Sequence, residues 1–244
     1  MSMRRKLWSA LCASLLVVPM GAAAQDWEVS VTPYAWLIDY QIDTSVEQPS
    51  GGTVEFSELM DILDFAGQIH IEAHNGRFGV LLDATSLQVS DRRTRGPFEV
   101  DTDSGVNLFE AAAILTLTDS PSRFDLLVGA RSVNVDIELE IETLGVLGAD
   151  FTAEADETLT DVMVGLRYQQ PLSDQWTLKL RGDVATGDTD FSWNVSAIAA
   201  YQFTSFAGQL ELGYRYLDMD VGRIGDMEPE ITVYGPGIGL TFNF

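Results

Sequence analysis

The sequence predicts an all-β fold, a transmembrane antiparallel up-and-down β-barrel of about ten strands that follows a cleaved signal peptide. Three observations support this prediction. The first 24 residues show the order of basic, apolar and small residues that is typical of secretory signals. The rest of the chain alternates apolar and polar residues with a period of two, in segments joined by tight turns and longer connections in turn. The chain also ends in alternating aromatic residues.

The amino-terminal segment, residues 1–24, is predicted to be a signal peptide. Three basic residues precede an apolar stretch over residues 7–20, and small residues form an A-x-A cleavage site that ends at Ala24. A membrane-anchor helix is the alternative, but the stretch is shorter than the roughly 20 residues that a bilayer requires. Because Cys12 lies inside this segment, the mature chain has no cysteine for disulfide or thiol chemistry.

The mature chain, residues 25–244, is strongly acidic. Cleavage would remove three of the 14 basic residues and none of the 37 acidic ones, which leaves a formal net charge of −26. Like-charge repulsion therefore excludes nucleic acid as a partner. No later segment approaches 18 unbroken apolar residues, so no membrane-spanning helix is predicted. Composition alone fits a periplasmic protein or a barrel, and the periodicity favours the barrel.

Asn75-Gly76 is the strongest turn signal, because a two-residue type I′ loop needs positive φ at both central positions, which Asn and Gly tolerate. This turn would pair His74 with Arg77. One face of the hairpin is then polar or charged and the other apolar, as lipid outside and a polar lumen require. The apolar face comprises Gly67, Ile69, Ile71, Ala73, Phe78, Val80, Leu82 and Ala84.

The same alternation recurs along the chain. Four of the connections are tight, and five, which begin near residues 41, 91, 137, 187 and 218, are mostly long and acidic. Short periplasmic turns, long external loops and an even strand number are typical of outer-membrane barrels, whereas a soluble β-sandwich rarely carries successive charges beside such an apolar stripe. The predicted strands are 27–40, 65–75, 77–90, 105–118, 124–136, 156–168, 175–186, 191–203, 208–217 and 230–244.

Two segments need a separate interpretation. Pro33 lies inside the first predicted strand, and the register of that strand turns Tyr34 and Trp36 inward. Since proline belongs at a bulge or an edge, either the register shifts there or these aromatic side chains fill the lumen. Residues 133–141 alternate apolar and acidic side chains, which predicts a hairpin that projects beyond the membrane.

Six segments carry a family resemblance, and together they span nearly the whole mature chain. They are TPYAW at 32–36, FSELMDILDF at 56–65, GAR at 129–131, GLRY at 165–168, GYRYLD at 213–218 and GPGIGLTF at 235–242. These segments resemble a group of proteobacterial outer-membrane barrel proteins of unassigned function. The resemblance implies the fold and the outer-membrane location, and it implies no activity.

The last strand has Ile238, Leu240, Phe242 and Phe244 on one face. This pattern resembles the recognition signal of the barrel-assembly machinery, which implies that this machinery is a partner during biogenesis. Phe242 and Phe244 are therefore the predicted assembly signal. A carboxyl-terminal Phe of this kind has no use in a soluble domain.

Twelve titratable side chains are predicted to face the lumen. They could form a proton relay or an active site, but the simpler hypothesis is a plugged lumen, because buried carboxylates and guanidinium groups must be paired. Barrels of eight strands leave just enough interior for side chains, and ten strands leave little more. The predicted lumen residues are His70, Glu72, Asp83, Glu110, Arg131, Asp161, Arg167, Lys179, Arg181, Asp183, Glu211 and Arg215.

No catalytic, cofactor or metal site is predicted. Ten strands is also the architecture of the omptin proteases, whose site combines Asp and His at the external rim, but His70 and His74 lie beside the predicted periplasmic turn. No Ser-His-acid spacing of a lipid A deacylase is identifiable. Acidic pairs occur at 101 and 103, 188 and 190, and 218 and 220, in predicted external loops, and none completes a calcium-loop spacing.

Two segments near the predicted external rim have possible roles. Arg92, Arg93 and Arg95 form a basic cluster just beyond a predicted strand end, where lipopolysaccharide phosphates would lie and the Arg fork suits phosphate. Residues 56–63 suggest one or two turns of amphipathic helix with Ser57 as the N-cap. That helix could constrict the barrel mouth or lie on the outer rim.

The function predicted from the sequence is that of an integral outer-membrane barrel, structural or engaged in surface interactions, with a largely plugged polar lumen. A narrow channel for ions or small solutes is the alternative, and an outer-membrane hydrolase is a third possibility. The expected surroundings are outer-membrane lipid and lipopolysaccharide.

Overall fold

The described parts of the computed structural model, residues 27–44, 52–54, 63–95, 98–143, 151–222 and 229–244, form one antiparallel sheet. No helix among these residues combines the length and apolarity needed to cross a membrane. The strands are β1 (Glu28–Trp36), β2 (Asp39–Thr44), β3 (Gly52–Val54), β4 (Leu63–Asn75), β5 (Phe78–Arg95), β6 (Phe98–Asp119), β7 (Arg123–Thr143), β8 (Phe151–Pro171), β9 (Trp176–Gly187), β10 (Phe191–Gln202), β11 (Gly208–Asp220) and β12 (Pro229–Asn243).

These segments occupy ten positions around a closed barrel, which confirms the predicted fold class. β1 pairs with both β4 and β12 and so closes the sheet. β2 continues along β12 in the same register as β1, so β1 and β2 act as one wall strand interrupted at Leu37 and Ile38. β3 pairs only with β2 in the described residues. The predicted helix over residues 56–63 lies outside the described residues except for Leu63, as does the predicted signal peptide.

The first wall strand, β1, contains Pro33 and shows no register shift there. The pairs of β1 with β12 keep one register from Ser30↔Asn243 to Trp36↔Gly237. Tyr34 and Trp36 therefore point inward and fill part of the lumen, whereas Pro33 is exposed on the outer face. Proline is tolerated there because its missing N–H leaves only one local gap in the ladder.

The β4–β5 hairpin forms where the sequence predicts it, but its register differs by two residues. Asn75 pairs with Phe78 and His74 with Gly79, so the turn residues are Gly76 and Arg77. Gly76 has a φ of 62°, which glycine adopts without steric cost at the first turn position. A shift of two residues keeps every side chain on its predicted face, because the side-chain period of a strand is also two.

β5 to β8 are longer than the rest of the wall. They contain 18, 22, 21 and 21 residues, whereas β9, β10 and β11 contain 12, 12 and 13. Crossing a membrane takes only about 9–11 residues, so roughly ten residues of each long strand project beyond it. The prediction of loops beginning near residues 91 and 137 was therefore wrong, because alternation continues there and sustains pairing. The connection after residue 187 is also short, at residues 188–190.

The outer surface carries an apolar belt between two aromatic girdles. Trp193, Tyr216 and Tyr234 stack at one level, with ring centroids 5.0 and 5.9 Å apart. Trp176 and Tyr201, 5.1 Å apart, belong to the other level. On β10 the two girdles are eight residues apart, about 26 Å along the strand, and at the roughly 40° tilt of outer-membrane strands this spans about 20 Å of height, comparable to the roughly 25 Å apolar band. The end with the tight turns, Trp27 and Phe244 is then periplasmic, and the tall strands project outside.

Candidate functional site: the barrel lumen

Cross-strand register brings together the charged core of the lumen. Asp83, Glu110, Arg131 and Asp161 are direct neighbours on β5, β6, β7 and β8, all turned inward. On the next two strands of the wall, Asp183 of β9 is paired with Asn194 of β10. The register therefore turns carboxylates of several strands into the lumen, where buried carboxylates need cationic partners.

We call Glu110, Arg131, Arg181, Asp183 and Arg215 the central cluster. Glu110 contacts three guanidinium groups, with N–O distances of 2.8 Å to Arg131, 3.0 Å to Arg181 and 2.8 Å to Arg215. Asp183 contacts Arg131 and, at 2.8 Å, Arg181. The side chains of Glu110, Arg131 and Asp183 are 0% exposed, so these charges are dry.

Neighbouring groups complete the central cluster. Asn194 donates to Asp183 at 2.8 Å and accepts from Nε of Arg215 at 2.8 Å. Asp83 lies 3.8 Å from Arg215 and accepts a 2.7 Å hydrogen bond from the Tyr34 hydroxyl. With Asp83, three carboxylates face three guanidinium groups, so the layer is neutral in formal charge.

An apolar layer covers the central cluster on its external side. Leu108, Val133 and Leu217 lie two residues from Glu110, Arg131 and Arg215, toward the external end of each strand, and all three are buried. The guanidinium carbon of Arg215 lies 4.8 Å from the centre of the Trp36 ring, a cation–π contact that joins the two layers. The buried members of the apolar layer are Trp36, Ile38, Leu108, Val133, Leu217 and Met219.

A second group of charges lies nearer the periplasm. Arg167 contacts Glu72 and donates to Asp125 from Nε at 2.9 Å and from Nη2 at 2.8 Å. Asp125 also accepts from Nε of Arg123 at 2.9 Å and from Thr116 at 2.8 Å. Asp125 was absent from the predicted lumen residues. Its even spacing from Arg131 on β7 was the signal that could have identified it.

The predicted lumen residues do not form a single network. Lys179 pairs separately with Glu211 at 2.6 Å, and Glu211 also accepts a 2.9 Å hydrogen bond from Thr241. Asp161 contacts no arginine in the described residues. It accepts from the backbone and hydroxyl of Thr189 at 3.0 and 2.6 Å, and so holds the turn between β9 and β10.

The periplasmic half of the lumen contains a cavity of about 750 Å³. Its walls include Glu28, Thr32, His70, Lys179 and Gln209, and Arg181, Arg215 and Asp83 form its inner end. Inward-facing glycines on β11 and β12 line this space, among them Gly213, Gly237 and Gly239. The expectation that ten strands leave little room therefore fails here, because side-chain size matters as much as strand number.

Both histidines lie on β4, on the periplasmic side of the central cluster. His70 contacts Asp83 at 3.0 Å and Glu72 at 3.7 Å. His74 lies 3.5 Å from Glu28 beside the tight turn. Neither histidine reaches the external rim, where the omptin site would require one.

The basic cluster at the external rim is located differently from the prediction. Arg92, Arg93 and Arg95 belong to β5, in the part that projects above the belt, and not to a loop beyond a strand end. Arg92 contacts Asp101 on β6 and lies 3.5 Å from Glu99. Asp101 and Asp103 likewise belong to β6, and Asp218 and Asp220 to β11, where loops were predicted.

The carboxyl-terminal strand closes the barrel. Phe242 pairs with Val31 on one side and with Gly208 on the other. The backbone N–H of Phe244 donates to Val29 at 2.8 Å, while its side chain is 80% exposed. The predicted assembly signal thus lies on the strand that joins both ends of the wall.

Comparison with known proteins reveals similarity at the level of the fold. No family model and no curated protein matches the chain. The outer membrane protease OmpT from Escherichia coli superposes with a TM-score of 0.55 at 10% identity, covering 90% of this chain and 97% of OmpT. Neisserial surface protein A gives 0.36 at 14% identity, with 90% and 97% covered. Ail from Yersinia pestis gives 0.35 at 9%, with 89% and 99% covered. The chain has the closed antiparallel fold of bacterial outer-membrane β-barrel proteins.

Proposed function

We propose that this protein is an integral outer-membrane barrel that conducts no solutes and presents its tall external strands, β5 to β8, for surface interactions. In this proposal residues 1–24 are removed on export. The observation that supports it is the two-layer plug, in which the central cluster lies directly beneath the apolar layer. The barrel is then an anchor, and β5 to β8 are the longest described strands outside the cell.

The plug opposes conduction for an energetic reason. A hydrated ion would have to separate guanidinium groups from Glu110 and Asp183, and each separated charge would remain at low dielectric. It would then have to pass the apolar layer, where the buried side chains of Leu108, Val133 and Leu217 offer no polar atom to replace its hydration. Because the three arginines each contact a carboxylate on another strand, the cluster also ties together the two sides of the wall.

A narrow channel is the second candidate, and the periplasmic cavity is the observation that favours it. The cavity could serve as the inner half of a pore whose outer half opens by rearrangement of the plug. That candidate predicts discrete conductance steps for the unmodified protein, with larger steps after deletion of residues 56–63.

Planar-bilayer recording of the purified protein tests the proposal. We expect no steps from the unmodified barrel and intermittent steps from the double variant Trp36→Ala/Arg215→Ala, which removes the contact between the two layers. Trp193→Ala is the matched control, because it removes an aromatic side chain from the lipid-facing girdle and should stay silent. Regular steps from the unmodified protein would overturn the proposal in favour of the channel.

The proposal includes the barrel-assembly machinery as a partner during biogenesis, with Phe242 and Phe244 as its signal. Deletion of Phe244 should lower the amount of folded barrel, measured as the heat-dependent mobility shift on gels of unboiled samples. Leu172→Ala, which changes an exposed apolar residue in a periplasmic turn, is the control. Normal assembly of the deletion variant would contradict this role of the carboxyl terminus.

A further inference from the structure

The external part of β8 has a free edge in the described residues. β8 pairs with β7 along its length, up to Phe151↔Ile141. On its other side it pairs with β9 only from Asp161 onwards, because β9 ends at Gly187. Among the described residues, 151–159 are therefore paired on one side only. An exposed row of backbone donors and acceptors of this length is a template for another strand.

The geometry at the base of this edge shows which peptide groups are available. The backbone N–H of Thr160 donates to the Asp188 carboxylate at 2.8 Å, and its carbonyl accepts from the backbone of Asp188 at 3.1 Å. Backbone direction alternates along a strand, so the peptide groups with the same direction as Thr160 belong to every second residue. Thr152, Glu154, Asp156 and Thr158 therefore present their N–H and carbonyl groups to the open side.

The side chains along this edge select by charge. Glu154 is paired across the sheet with Glu138, and Asp156 with Asp136, all on the outer face. Asp103 of β6 extends the same row beside Glu138. The opposite face at the edge carries Ala153, Glu157 and Leu159. An incoming strand would thus meet carboxylates on one face and a more apolar surface on the other.

This charge also argues against a second copy of the chain as the occupant. Antiparallel pairing of two β8 edges would place carboxylates of one copy beside those of the other, and like charges on neighbouring strands destabilise a sheet. A strand with lysine or arginine at alternate positions would gain the opposite-charge pairs instead. The edge therefore disfavours self-pairing and favours a cationic partner.

We propose that residues 152–158 of β8 bind an extended basic segment of a partner polypeptide by strand addition, with its cationic side chains beside Glu154 and Asp156. This inference rests on the proposed surface-interaction function and gives the chemistry of the partner. Main-chain hydrogen bonds supply the affinity, and the alternating charge supplies the selectivity. Conductance recording is independent of the edge, so the two proposals fail in different experiments.

The probe is the nine-residue peptide Lys-Val-Lys-Val-Lys-Val-Lys-Val-Lys, titrated calorimetrically into the full barrel in nanodiscs. Three controls separate strand addition from attraction to a chain that is acidic throughout. The first is the same composition with all lysines before all valines, the second is the alternating peptide with alternate backbone nitrogens methylated, and the third replaces lysine by glutamate. We expect that only the unmethylated alternating lysine–valine peptide binds, and that salt weakens its binding.

Two sets of variants locate the site. Thr158→Pro removes one edge donor without changing the charge and should weaken binding about fivefold, the effect of one main-chain hydrogen bond, whereas Thr158→Ala should not. Glu154→Lys/Asp156→Lys should abolish binding of the lysine peptide and create binding of the glutamate peptide. The heat-dependent gel shift verifies that each variant is folded. Equal binding of the methylated peptide, equal affinities of the two Thr158 variants, or no measurable binding would overturn the proposal, as would self-association through this edge.

Discussion

The central cluster and the Lys179–Glu211 pair contain the same kinds of charge in the same lumen, and they differ in access to water. Arg131, Glu110 and Asp183 are fully buried and have several charged partners each. Lys179 and Glu211 border the cavity with 24% and 14% of their side chains exposed. A charged residue in this barrel therefore contributes to stability according to its burial in the plug. Sequence alternation predicts the direction of a side chain but not how deeply it is buried.

The largest effect is expected from Arg131→Ala. This change leaves Glu110 and Asp183 short of a partner at low dielectric, and breaking a buried pair in this way costs about 3 to 5 kcal/mol. The urea midpoint of the barrel in lipid vesicles measures it. Arg131→Met is the matched variant, because it loses the same charge but keeps most of the volume, so the two together separate charge from packing. A loss below about 1 kcal/mol for both would mean that water enters the central cluster, which would then not differ from the Lys179–Glu211 pair in access to water.

A smaller loss is expected from Arg181→Ala. Arg181 is 14% exposed and borders the cavity, so water can replace part of its contact with Glu110 and Asp183, and the loss should be near 3 kcal/mol, at the low end of that range. Adding Asp183→Asn should recover part of this loss, because the two residues share an ion pair and coupled neighbours are not additive. A double-mutant cycle of unfolding free energies measures the coupling. Strict additivity of the two changes would contradict a direct interaction.

The sequence predicted the inward faces well and the lumen's interior less well. Alternation placed Glu110 and Arg131 on the same face because a strand side chain has only two directions, and even the two-residue error at Gly76 left those faces intact. It could not distinguish the three arginines that meet at Glu110 from Lys179, because that depends on strand stagger and tilt. Alternation did not predict the cavity either, because the space beside Gly237 depends on the sizes of the surrounding side chains.

Lys179→Met should have a still smaller effect. Its partner Glu211 borders the cavity and keeps a hydrogen bond from Thr241, so water and Thr241 can satisfy the carboxylate after the change. The expected loss is below about 1 kcal/mol, within the range of solvent-exposed pairs. The same urea titration measures it, with Thr177→Val, a neutral change at the cavity wall, as the control. A loss as large as that of Arg131→Ala would show that the cavity is not hydrated.

The smallest effect is expected from Arg92→Ala, and it also tests the predicted lipopolysaccharide contact of Arg92, Arg93 and Arg95. The Arg92 side chain is 66% exposed, and its pairs with Asp101 and Glu99 lie on the outer face of the projecting sheet. Solvent and salt screen such pairs, so in phosphatidylcholine vesicles the loss should be below about 0.5 kcal/mol.

The result in lipopolysaccharide decides the role of Arg92. A phosphate within reach of the guanidinium adds a charge-assisted hydrogen bond, so the loss from Arg92→Ala should rise to about 1.5 kcal/mol or more when lipopolysaccharide is included. Arg77→Ala is the control, because this arginine lies in a periplasmic turn and should be insensitive to lipopolysaccharide. Equal losses for Arg92→Ala in the two lipids would contradict the phosphate contact. Arg92 would then act through its ion pairs with Asp101 and Glu99, and its role would be confined to the pairing of β5 with β6.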